Sequence, residues 1–195
     1  MATRVRRLLR AIIARLLPGA PAGGGVPQAP MTWLEASAPG GSAIPVVRQG
    51  EGRPIVIVHG GSGDLTSWAA VAGRLLDQFS VYRYTRPTYR LGPTPRGAEA
   101  MATETAAAQI SDNEAIESLG VGLDRYAKLA VPALLLGGAK SQSHFRDRLT
   151  ALASALPAVD SVVYMPGQSH GANLRGPDQV ARVVADFAGS LPNAQ

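Results

Sequence analysis

Few side chains in this sequence could move protons near neutral pH: His59, His144 and His170 are the only histidines, and there is no cysteine. The lack of thiols removes a cysteine nucleophile, disulfides and thiolate metal sites. The three histidines do not stand at ligand spacing from carboxylates, so no metal is expected. No phosphate-binding loop or dinucleotide fingerprint occurs, and no cofactor is expected. What remains for a histidine is acid–base work on a hydroxyl, or no chemical task. His59 opens the run His59-Gly60-Gly61-Ser62-Gly63, and His170 closes the run Met165-Pro166-Gly167-Gln168-Ser169-His170, with Gly171 behind it.

Both runs follow strand-like segments. Pro54-Ile55-Val56-Ile57-Val58 is short, β-branched and without alternation, which predicts a strand buried on both faces, as in a parallel sheet. Ser161 to Met165 predicts another strand, directly before the second run. Further strands are expected at Ala43–Val47, Ser80–Tyr84 and Val131–Leu136, the last ending at Gly137-Gly138. Between them the apolar spacing predicts helices over 66–79, 99–110, part of 113–129, 143–156 and 177–187. Pro157 stops the fourth of these and Pro177 opens the fifth. Strands alternating with helices define an α/β class with a mostly parallel sheet flanked by helices.

Three features in this order resemble the α/β-hydrolase superfamily. The strand followed by His59-Gly60-Gly61 is similar to the family's oxyanion loop. Val131-Pro132-Ala133-Leu134-Leu135-Leu136-Gly137-Gly138 is similar to its penultimate strand. Met165-Pro166-Gly167-Gln168-Ser169-His170-Gly171 is similar to the turn that carries its catalytic histidine. Asp124-Arg125-Tyr126 and Arg86-Pro87-Thr88-Tyr89-Arg90 are similar to segments of small bacterial esterase-like or lactonase-like members. The resemblance covers about residues 40–110 and 120–190. It implies His170 as general base, Gly60 and Gly61 as the oxyanion-binding backbone, and His59 as a residue that shapes its loop.

The middle of the family pattern is missing. No Gly-x-Ser-x-Gly elbow occurs, and Gly60-Gly61-Ser62-Gly63-Asp64 lacks its final glycine. Only 40 residues separate Arg90 from Val131. Two more strand–helix units of about 30 residues each do not fit there. The central strands and cap are therefore expected to be absent between about 95 and 125. Without those strands, the strand at Val131 must pair with the one at Ile55, or two edges stay unpaired. The acid is also missing from its frequent place, where the chain reads Gly138-Ala139-Lys140-Ser141-Gln142; Asp112, Asp124 and Asp160 stand at no recognisable strand end. Substitute nucleophiles are Ser62, Ser141 and Ser169. Ser169 adjoins His170, an awkward position for a side-chain hydrogen bond, and Ser62 is the best of the three.

Two functions follow. One is weak or absent hydrolysis of a carboxylic ester or lactone through His170 and Ser62. The other is a non-catalytic remnant that binds a small apolar ligand, a partner or a membrane surface; an internally deleted product without its own role is a third reading. Unpaired sheet edges would allow a homodimer. The formal net charge of +5 is concentrated in residues 1–30, which hold five arginines and no acid. Residues 31–195 hold 14 basic and 14 acidic side chains, so the domain is neutral and no nucleic-acid partner is expected. Val5, Leu8, Leu9, Ile12, Ile13, Leu16 and Leu17 line one face of a basic amphipathic helix over 1–18, stopped by Pro18. Residues 19–30 read as a Gly/Pro/Ala linker. No run reaches the roughly 18 apolar residues of a membrane span. The expected location is the cytoplasm, with membrane-peripheral contact through residues 1–18 as the alternative.

Overall fold

The computed structural model describes residues 29–37, 41, 43–61, 63–86, 97–119 and 122–192. The helix expected over 1–18, the linker up to residue 28, Ser62 and residues 87–90 lie outside them. Along the chain run β1 (Thr32–Ser37), β2 (Ala43–Gln49), β3 (Arg53–Ile57), α1 (Ala69–Gly73), β4 (Phe79–Tyr84) and α2 (Gly97–Ser118). A short 3-10 helix (Asp124–Lys128), β5 (Ala133–Gly138), α3 (Ser143–Ala155), β6 (Val159–Met165), α4 (Ala172–Arg175) and α5 (Pro177–Ser190) complete it. The fold class is α/β, as expected.

The strands form two sheets. One has the order β1-β2-β4-β3, and the other holds β5 and β6 alone. β3 lies parallel to β4 and β5 parallel to β6, while β1–β2 and β2–β4 are antiparallel. Of the two outcomes foreseen for a sheet without its centre, the structure shows the second: β3 and β5 do not pair. Among the described residues, only α2 and the 3-10 helix lie between β4 and β5.

Local sequence explains most boundaries. β2 turns into β3 through Gly50 at φ +75°, where an added Cβ would stand 2.4 Å from the carbonyl oxygen of Phe79. α3 ends at Ala155 because Pro157 holds Leu156 extended at ψ 124°. Pro177 occupies the first turn of α5. The helix expected over 66–79 shrinks to five residues, because the Asp64 carboxylate takes the amides of Thr66 (2.8 Å) and Ser67 (3.1 Å) as a turn before α1 begins. The two helices expected after residue 99 are instead one, running through Ser111-Asp112-Asn113. Asp112, a weak helix former, is held there by Arg86 at 2.6 Å.

One expectation is overturned. The segment 54–58 is not buried on both faces: Ile55 and Ile57 pack against the core, whereas Val56 is 62% and Val58 58% exposed. A complete parallel sheet is covered by helices on both faces, whereas here Val56 and Val58 stay exposed.

The two sheets are joined by side-chain packing. Val71, Ala72 and Leu75 of the α1 region, Phe79 and Val81 of β4, Met165 of β6 and Val180 and Ala181 of α5 form one buried cluster. Polar clamps surround it. Arg53 donates to the carbonyl oxygens of Ala188 and, at 2.9 Å, Leu191 at the end of α5. Asn173 donates to the Ser67 carbonyl at 2.9 Å. Arg74 bonds the Asp178 carboxylate with Nε and, at 3.3 Å, Nη2.

Two tests follow from this core. Replacing Leu75, which is 2% exposed, by Ala should lower the unfolding free energy by about 2–5 kcal/mol in a urea titration, with both sheets lost in one transition. The hydrogen bond from Arg74 holds the Asp178 carboxyl below its ordinary value. The pair's contribution is therefore complete above the unfolded carboxyl pKa and lost as pH falls through the lower folded value. An NMR titration should find a depressed midpoint for Asp178, and R74Q should return it to the ordinary Asp range.

Candidate active site

The loop after β3 is built around His59, which is 4% exposed. Its Nε2 accepts the Arg86 backbone N–H at 3.0 Å, so Nε2 carries no proton. Its Nδ1 stands 2.8 Å from the Gly60 carbonyl oxygen and must be the donor there. Nε2 thereby ties the loop to the backbone just after β4, and Nδ1 braces the loop on itself. His59 is a strut, as the resemblance implies. Gly60 and Gly61 are exposed at the top of the loop. Gly63 N–H closes a turn onto the Gly60 carbonyl at 3.2 Å, and Leu65 N–H bonds Thr85 Oγ1 at 3.1 Å.

Arg83 supports the loop from beneath and gave no signal in the sequence. It is 5% exposed and donates to the Leu65 carbonyl (2.7 Å) and to Gln49 Oε1 (2.5 Å). Its Nε finds no acceptor among the described residues. Burial pushes the guanidinium pKa down, and the Asp64 charge opposes that shift.

The second half of the site hangs on the ends of β5 and β6. Ala139 N–H bonds the Met165 carbonyl (3.0 Å) and Lys140 N–H the Gln168 carbonyl (2.8 Å), which lays the His170 turn across the end of β5. Gly138 makes the approach feasible: a Cβ there would fall 2.6 Å from backbone atoms of Gln168 and Ser169. His170 is exposed, and its ring stacks on Phe145 with centroids 4.2 Å apart and planes 13° apart. Among the described residues no hydrogen bond to the His170 ring is formed.

The triad candidates do not converge on it. Asp112 is bound to Arg86, Asp160 accepts the Ser161 hydroxyl at 3.3 Å, and Asp124 begins the 3-10 helix. Ser141 is 8% exposed and follows β5, where the family often places its acid. Ser141, Ser169 and His170 share the wall of one cavity of about 300 Å³. Ser62 lies outside the described residues. No group of three metal-ligating side chains gathers among the described residues.

The cavity is mainly apolar, walled by Trp68, Leu136, Phe145, Leu149, Met165 and Val180. Its position is informative. Gly137 faces α3, since its Cβ would meet Leu149, whereas Leu136 and Met165 face the opposite side with α5. The cavity touches both Leu149 and Val180, and it is also lined by Gly138, Ser141, Ser169 and His170, at or just beyond the C-terminal ends of β5 and β6.

With this geometry established, comparison with known proteins is consistent. No protein-family model matches the chain, and no curated protein matches it in sequence. Solved structures do. A serine hydrolase involved in carbazole degradation superposes with a TM-score of 0.66 at 12% identity, covering 82% of this chain and 99% of that one. An α/β hydrolase from Sphaerobacter thermophilus gives 0.60 at 16% identity, over 80% and 100% of the two chains. Naproxen esterase from Bacillus subtilis gives 0.62 at 10% identity, over 95% and 97%. The chain has the α/β-hydrolase fold.

The packing at the second half gives a paired test. Gly138→Ala should cost about 1–3 kcal/mol in a thermal or urea melt, because the methyl group meets backbone that cannot move aside. Gly60→Ala, where a Cβ meets nothing within 4 Å, should leave the melt within about 0.5 kcal/mol of the parent.

Proposed function

We infer that this chain keeps the α/β-hydrolase fold without its ester-cleaving reaction, and that its cavity beside His170 receives a small apolar ligand. The observation that carries this reading is the state of the His170 ring. Among the described residues it stacks on Phe145, is exposed, and is hydrogen-bonded to neither a carboxylate nor a hydroxyl. A general base needs a nucleophile to deprotonate and a partner that fixes its tautomer. An oxyanion loop lacking the amide that follows the nucleophile offers half of the usual donors. A mainly apolar wall with Ser141, Ser169, His170 and Asn173 also on it suits a ligand with a hydrocarbon body and a polar function.

A second reading has one observation in its favour. Ser141 and Ser169 border the same cavity as His170, and several proteins of similar structure are esterases or serine hydrolases by name. In that reading a serine on this wall, or Ser62 on the loop, attacks an ester or lactone. A fluorophosphonate probe followed by intact mass, beside a short-chain ester assay, separates the two. The expected result is no adduct and no turnover from folded protein. A single adduct that disappears in H170A, or in S62A, would overturn catalytic loss and name the serine by peptide mapping. Addition of a medium-chain ester should also change the fluorescence of Trp68, which lines the cavity, and the L136W variant should abolish that change.

A further inference from the structure

The cavity beside His170 carries charge as well as apolar surface. Among the described residues its lining includes Arg146 and Arg148 and no carboxylate side chain. Both arginines belong to α3, and the turn of that helix sets their places. At about 100° per residue, Leu149 stands about 40° round from Phe145, with Arg146 about 100° round on the same side and Arg148 about 60° on the other. An apolar strip of Phe145 and Leu149 is thus flanked by an arginine on each side. Asp147, between the arginines in sequence, comes about 200° round from Phe145, on the far side of the helix. No Asp or Glu stands three or four residues from either arginine, so neither has an acid partner along α3. Among the described residues neither joins an ion pair.

A third group on the wall points the same way. Ser141 lines the cavity and is 8% exposed, and its hydroxyl has no hydrogen-bond partner among the described residues. A hydroxyl withdrawn from water is costly until it finds one. Arg146 Nη1 donates to the Ala139 carbonyl at 3.2 Å, which brings its guanidinium to the loop that carries Ser141. That bond occupies one guanidinium N–H and leaves the others for a ligand. Arg148 forms no hydrogen bond among the described residues. We propose that the ligand of this cavity is a hydrocarbon monocarboxylate, drawn in by Arg146 and Arg148 and bonded by the Ser141 hydroxyl; this rests on the reading that the cavity receives a small apolar ligand. A carboxylate only accepts hydrogen bonds, and guanidinium groups only donate them, in a planar fork of matching shape. A neutral ester with the same body would gain little from two cations. The size agrees: a cavity of roughly 150 Å³ accepts benzene, so one of about 300 Å³ holds a body of about eight carbon atoms with its head group.

Isothermal titration calorimetry of the full chain tests this with octanoate and with octanamide, its neutral counterpart of the same shape. Octanoate should bind about tenfold more tightly or better. With Arg146→Gln and Arg148→Gln together, the gap should fall below about threefold, while octanamide keeps its affinity within about threefold. Both arginines are exposed, so their replacement takes nothing from the core. Arg148→Gln alone should narrow the gap, and it replaces the double variant if that protein does not fold. Leu136→Trp, which fills the cavity, should weaken both ligands. Equal, measurable affinities in the unaltered chain would overturn the carboxylate assignment and leave the apolar-ligand reading standing. A gap that survives loss of the arginines, or octanoate binding that Leu136→Trp does not change, would overturn it as well. Binding of neither compound would remove the apolar-ligand reading itself, and the proposal with it.

Discussion

β3 and β5 belong to two separate sheets, and among the described residues no strand pairing joins them. What makes the two sheets one body is the apolar contact of α1 and β4 with β6 and α5. Leu75, Val71 and Val81 are fully enclosed there, and Met165 and Val180 close the cluster from the other sheet. Side-chain burial of this kind is non-directional and tolerates the removal of a strand, whereas strand pairing does not. The polar clamps fix the angle between the halves. Arg53 seals the end of α5, and Asn173 ties the His170 side to the loop after β3.

The site inherits this division. The His59 loop belongs to one sheet and the His170 turn to the other. Each is well determined by its own short-range bonds: His59 by Arg86 and Gly60, and the His170 turn by Ala139 and Lys140 across Gly138. What the family places between them comes from the missing strands. Beside the His170 turn is a mainly apolar cavity lined by residues of β5, β6, α3 and α5. A histidine can keep its backbone position after its partners are gone, because that position is set by packing and main-chain bonds, while its chemistry is set by the groups that bond its ring. Here the ring has found an aromatic neighbour, Phe145, instead. No helix among the described residues is long and apolar enough to cross a membrane.

The sequence by itself determined the class and the ends of the fold. The β-branched run at Ile55, the Gly137-Gly138 stop, Pro157, Pro177 and the His59 and His170 runs are short-range signals, and the structure puts strands, loops and helix ends at or beside each of them. The missing elbow was equally legible, because a required motif either occurs in a chain or does not. Tertiary structure alone decided the rest. Apolar content cannot say which face of β3 is covered, since burial depends on helices that come from elsewhere in the chain; Val56 and Ile55 are the same kind of residue and meet opposite surroundings. β1, with Trp33 and Leu34 exposed, carries no strong pattern and exists because β2 offers it an edge. The burial of Arg83 and the stacking of His170 on Phe145 join residues far apart in sequence, and such pairings follow from the packing of whole elements rather than from the residues themselves.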